Sequence, residues 1–117
     1  MDREAVLQYV TAKYNTQPEY PWRKYPHYAV LRHQHNRKWY AIIMDVKKEN
    51  LDQVAGQAED MMDLKLNPET VELLQTESGF LPAYHMNKSN WISVRISQVA
   101  RDQICKLIDA SYKLTEK

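Results

Sequence analysis

Two stretches of branched and aromatic residues, 28–33 and 38–46, lie on either side of the polar run Gln34-His35-Asn36-Arg37, and this pairing constrains the fold most. Such residues suit a pleated, half-buried surface, and a short polar link between two of them reads as a β-hairpin. Strand side chains alternate between faces, so Tyr40, Ile42, Met44 and Val46 are expected to share one face of the second strand. A hairpin with one apolar face needs partners to cover it, and the rest of the chain supplies them.

A helix is predicted over residues 2–14, with Asp2 as its cap and Val6, Leu7, Val10 and Tyr14 as an apolar stripe. Pro18, Pro21 and Pro26 then keep the chain extended, in a segment whose aromatic residues pin it to the core. Residues 47–60 fit either a loop or a short helix. Met62, Leu64 and Leu66 alternate with Met61, Asp63 and Lys65, which predicts a third strand. Asn67 suits a helix cap, Pro68 the first helical position, Glu69 the positive end of the dipole and Gly79 the exit, with Val71 and Leu74 facing inward. After a strand in the run 82–91, residues 91–96 alternate as another, and residues 100–114 place Ile104, Leu107, Ile108 and Ser111 at helical spacing. The order α-β-β-β-α-β-β-α lacks βαβ alternation and predicts an α+β domain with helices packed on an antiparallel sheet. At 117 residues one domain, 1–117, is expected.

The run Pro82-Ala83-Tyr84-His85-Met86-Asn87-Lys88-Ser89-Asn90-Trp91 mixes aromatic, amide and basic side chains without glycine. It resembles the PAYHxNKxxW signature of the MmcQ/YjbR family of small bacterial proteins. Leu64-Lys65, Asn67-Pro68-Glu69 and Ile108-Asp109-Ala110-Ser111-Tyr112 fit that family, as do Tyr20-Pro21-Trp22 and Lys24-Tyr25-Pro26. The resemblance implies a compact α+β fold of the double-wing, DNA-binding-like kind. One stretch departs from the family pattern: Ser97-Gln98-Val99-Ala100-Arg101-Asp102 replaces its usual Asp-Gly and Pro-Asp helix start, so a longer or differently capped turn is expected there. Within the signature, Pro82, Tyr84 and Trp91 are expected to pack, while His85 and Asn87 bond backbone.

The formal net charge of +1 hides two opposed blocks. Residues 22–48 carry a net +6 and residues 49–80 a net −7. If they lie on separate faces, the basic block offers a phosphate-binding surface; if they meet across neighbouring strands, they cancel. Charged residues at 26% and apolar ones at 44% are globular values, and no apolar run is long enough to span a membrane. With no export signal and the lone Cys105, a cytoplasmic protein is expected.

Catalytic patterns are scarce. His33 and His35, with His27 as a third ligand, lack a Cys, Asp or Glu to complete a metal set, so no metal or other cofactor is expected. Gly56 and Gly79 match no phosphate-cradling loop, and no small-molecule substrate is indicated. The expectation is a non-enzymatic protein that binds DNA through its basic hairpin. Arg32, Arg37 and Lys38, helped by Arg23, Lys24 and Lys88, meet phosphates, and His35, Asn87 and Asn90 reach base edges. A wing of this kind has a basic, exposed tip. The alternative is a protein-interaction module, an adaptor or homodimer, using Trp22, Tyr25 or Trp39. A contiguous exposed aromatic patch favours that alternative, and buried aromatics beside a basic strip favour DNA. A third reading, an enzyme, requires Tyr84, His85 and Lys88 to line one pocket.

Overall fold

The computed structural model describes residues 1–47 and 58–117. In chain order the elements are α1 (Arg3–Tyr14), β1 (Ala29–Arg32), β2 (Trp39–Lys47), β3 (Ala58–Lys65), α2 (Pro68–Leu74), β4 (Phe80–Pro82), β5 (Trp91–Arg95) and α3 (Arg101–Thr115). This is the predicted order, with a 3-10 turn (Ile96–Gln98) before α3. The strands form one sheet in the order β1-β2-β3-β5-β4, every neighbour antiparallel. The undecided stretch 47–60 contributes Lys47 to β2 and residues 58–60 to β3; its centre lies outside the described residues.

All three helices contribute to one apolar cluster against one face of the sheet. Val6 and Val10 of α1, Val71 and Leu74 of α2, and Ile104 and Ile108 of α3 meet Leu31, Ile43, Leu64 and Ile92 from the strands. Asp2 caps α1 as predicted, its carboxylate accepting from the Ala5 N–H at 2.9 Å. Asn67 starts α2 through its carbonyl, which accepts from the Val71 N–H, but its side chain makes no cap bond. Gly79 has a φ of +91°, and a Cβ there would meet Val99 Cγ2 at 2.6 Å, so both conformation and space require glycine. The turn before α3 differs from the family pattern as expected: Ala100 is the N-cap, with no side-chain bond.

Two side-chain placements differ from the alternation predicted in the sequence. Tyr40 does not share a face with Ile42, Met44 and Val46. A bulge shifts the β1–β2 register between Leu31 and Arg32, pairing Arg32 with Trp39 and Leu31 with Ala41, and turns Tyr40 to the helix side. There its hydroxyl donates to Thr16 Oγ1 at 2.7 Å, and its carbonyl accepts from Ser111 Oγ at 2.6 Å. In β3 the residues opposite Met62 and Leu64 do not face water, since Met61 and Asp63 are as buried as their neighbours. The second face of the sheet is therefore covered too.

Candidate functional site

That second face is covered by chain without regular structure. Residues 17–28 run beside β1, joined to it where Glu19 and Val30 exchange backbone hydrogen bonds of 3.0 and 2.8 Å. Residues 83–90 fold over the sheet from the other side. Between the two segments lies a cleft of about 460 Å³. Trp22, Tyr25 and Tyr28 form one wall, His85 and Met86 the other, and Trp39, Ile42 and Met44 the floor. The aromatic wall is ordered by ring contacts: Trp22 meets Trp39 and Tyr28 edge-on at 5.7 and 6.0 Å, and Tyr25 stacks on Tyr28 at 4.6 Å. Tyr25 remains 40% exposed. Burial raises the Tyr28 phenol to about 12, so it stays neutral at physiological pH.

The predicted site residues divide into two groups. Arg37 and Lys38 are exposed at the hairpin turn, with Arg37 in the left-handed region at φ 64°. The turn is nevertheless clamped to the end of α3. His35 Nε2 donates to the Glu116 carbonyl at 2.6 Å, Asn36 Nδ2 to the Thr115 carbonyl at 2.9 Å, and Lys38 Nζ to the Lys117 carbonyl at 2.6 Å. Helix C-termini leave carbonyls unpaired and carry partial negative charge, so amide and basic side chains are the groups that satisfy them. Much of the hairpin's polar chemistry is thus spent inside the fold.

The second group lies on the two segments that flank the cleft, except Arg32, which is on β1. Arg23 and Lys24 are exposed between the lining residues Trp22 and Tyr25, and Lys24 Nζ lies 5.8 Å from the Tyr25 ring. Arg32 is half-buried, paired with Glu19 at 3.0 Å, its guanidinium 5.8 Å from the Trp39 ring. Asn87 builds the far turn, its Oδ1 accepting from the Ser89 N–H and its carbonyl from the Trp91 N–H. Asn90 anchors that turn to β3 through its carbonyl, which accepts from Leu66, and Lys88 is exposed. The expectation that Asn87 bonds backbone holds. His85 does something else: at φ 65° its ring rests on Tyr84 at 4.0 Å and faces the cleft.

Asp63 and Ser93 were not singled out in the sequence. Cross-strand pairing puts Val30, Ile42, Asp63, Ser93 and Leu81 in one row across all five strands, with Asp63 in the middle. Asp63 is fully buried; its Oδ1 accepts a hydrogen bond from Ser93 Oγ, and its Oδ2 has no partner among the described residues. Desolvation raises its carboxyl to about 7, against the opposing pull of the Ser93 bond and the Lys88 charge. An acid enclosed by Met61, Met62 and Leu64 is the signal that could have marked it.

Of the acidic block, Glu59 takes Arg95 through two bonds of 2.6 and 2.8 Å, and Asp60 pairs with Arg3 at 3.0 Å. These basic partners lie outside residues 22–48. Among the described residues no three His, Cys, Asp or Glu side chains are grouped to hold a metal ion. No helix among them is long and apolar enough to cross a membrane.

The architecture and the signature run have counterparts among known proteins. The family model for YjbR matches residues 11–114. The chain is 42% identical over 118 residues to the uncharacterized protein YyaQ of Bacillus subtilis, covering 99% of each. A crystal structure of a Pseudomonas syringae protein superposes with a TM-score of 0.94 at 42% identity, covering 99% of this chain and all of the other. Deinococcus radiodurans protein DR2400 shares the fold alone, with a TM-score of 0.75 at 20% identity over 99% of this chain and 79% of its own. From signature, fold and these likenesses together, the chain belongs to the YjbR family.

Proposed function

We propose that this YjbR-family chain is a cytoplasmic, non-enzymatic nucleic-acid-binding module that holds a single strand across the covered face of its sheet. The observation that carries the reading is the aromatic cleft bordered by the exposed cations Arg23 and Lys24. A base stacks on an aromatic face whatever its sequence, for about 1–3 kcal/mol per base, while nearby cations take the phosphates. This moves the contact surface away from the hairpin tip, whose His35 and Lys38 are engaged with α3. Arg37 remains available as an outlying phosphate contact.

The protein-interaction reading draws on the same patch, since Trp22, Tyr25 and Trp39 are contiguous and part-exposed. Labelled single-stranded and duplex oligonucleotides, titrated at low salt, separate the alternatives. The single strand is expected to bind more tightly, and Tyr25→Ala or the double change Arg23→Ala with Lys24→Ala to weaken it about tenfold or more. Tighter duplex binding, lost on Arg37→Ala with Lys38→Ala, would restore the hairpin as the contact surface. Absence of binding to either would overturn the nucleic-acid reading and leave a protein partner.

A further inference from the structure

The Asp63 carboxyl is used by neither reading, and its surroundings connect it to one wall of the cleft. Ser93 Oγ donates to Asp63 Oδ1 and accepts, at 3.0 Å, from the Tyr84 N–H. The next residues, His85 and Met86, are that wall. This relay, backbone amide to hydroxyl to carboxyl, ties the Tyr84 end of residues 83–90 to the centre of the sheet, while the Asn90 carbonyl holds the other end at Leu66.

We propose that residues 83–90 form a strap over the cleft, closed while Asp63 carries a proton and released when it ionises. The neutral acid leaves one buried oxygen without a hydrogen-bond partner; the carboxylate would leave that oxygen charged. Ionisation thus demands a donor for Oδ2, and the strands flanking Asp63 place Ile42 and Ser93 beside it. Ser93 already serves Oδ1. Water can supply the missing donor once the strap lifts.

The titratable groups on this face have roles compatible with that motion. Tyr28, from the segment before β1, is held neutral by burial, and Tyr84 and His85 ride on the strap itself. Lys88, also on the strap, favours the ionised carboxyl. On β3, Lys65 is half-buried two residues away, and Glu59 is occupied by Arg95 on β5. Desolvation places the Asp63 transition near neutrality, within reach of ordinary changes in pH. His85 supplies the hinge: a non-glycine residue at φ 65° is held there by its surroundings and relaxes when they let go. The strap operates whatever the cleft holds, so its test needs no nucleic acid.

Amide hydrogen exchange of the wild-type chain, followed by NMR from pH 4.5 to 8.5 and corrected for intrinsic rates, reads the strap directly. Protection of the Tyr84 amide is expected to fall by up to about tenfold per pH unit as pH rises towards the Asp63 midpoint and to level off above it, because opening is linked to loss of one proton only while the closed strap still holds it. Asp63→Asn is expected to abolish that dependence, and amides of α3 to stay better protected than Tyr84 throughout. In the unmodified chain the ¹³Cγ shift of Asp63 must titrate with the same midpoint, which keeps the test independent of how the variant folds. Tyr84 protection that stays flat, equals that of α3 at every pH, or changes at a pH where Asp63 does not titrate would overturn the proposal.

Discussion

The two faces of this sheet are built from similar side chains and finished differently. On the helix side, three helices seal an apolar cluster, and the polar groups there have defined tasks: Tyr9, Tyr14 and Lys13 of α1 all donate to Asp109 of α3. On the other side, two irregular segments cover a smaller cluster of Val30, Ile42, Met44 and Met61, leaving a cleft and an incompletely paired acid. Helices satisfy their own backbone and present a continuous apolar stripe; irregular segments leave gaps and can move. Stability is concentrated on the first face, and the features suited to binding lie on the second.

The largest expected effect tests the sealed face. Leu64 points into the helix-side cluster from the central strand and is fully buried. Leu64→Ala is expected to cost about 3–5 kcal/mol, seen as a lower denaturation midpoint, with the cleft's ligand affinity unchanged at temperatures where the variant is folded. A cost under about 1 kcal/mol would mean that the two faces do not differ in this way.

Next comes the neighbouring residue, which points to the opposite face and whose substitution acts in the opposite direction. Burial holds the Asp63 carboxyl at about 7 in the folded chain, well above the usual 3.8 of an aspartate. The folded chain therefore binds more protons than the unfolded chain between those values, and stability falls as pH rises through that window. Asp63→Asn removes the loss: above pH 7 it is expected to stabilise the fold by up to about 4 kcal/mol, and below pH 4 to give no such gain. Chemical denaturation at pH 4 and pH 8 checks the sign. A variant equally stable relative to wild type at both would show that Asp63 is solvated in the folded state.

These adjacent residues also show what could be read in the sequence. The hairpin, the strand periodicities and the α2 start come from local pattern and agree with the observed order of elements, although the strand expected in the run 82–91 lies at Phe80–Pro82. Alternation alone set Leu64 and Asp63 on opposite faces, but nothing local reveals that residues 17–28 and 83–90 cover the second face and bury Asp63. Tyr40 escaped for a similar reason, since its face depends on a bulge set by pairing with β1. Among the site residues, Arg23, Lys24 and Lys88 were legible as exposed cations, whereas their separation from the hairpin tip depends on tertiary contacts. His35 and Lys38 looked like ligand contacts because the end of α3, which they bond, lies some 80 residues away in the chain.

The smallest expected effect is the most informative about the cleft, because each face carries one stacked tyrosine pair. Tyr14 stacks on Tyr112 at 3.7 Å, meets Tyr40 edge-on at 6.4 Å and donates to Asp109 at 2.5 Å, so Tyr14→Ala removes stacking, packing and a charge-assisted bond together. Tyr25 stacks on Tyr28 at 4.6 Å with 40% of its surface in water. Tyr25→Ala is then expected to cost about 1 kcal/mol, the value of one aromatic pair, and to lower Tm by a few degrees. Tyr14→Ala should cost about 3 kcal/mol. Thermal unfolding of the two variants side by side measures the difference. Equal losses would make Tyr25 as much a part of the core as Tyr14, and the cleft a packing defect. A small loss at Tyr25 accompanied by weaker ligand binding would mean that this ring is kept exposed for contact, since a residue retained for stability alone gains nothing from an exposed stacking face.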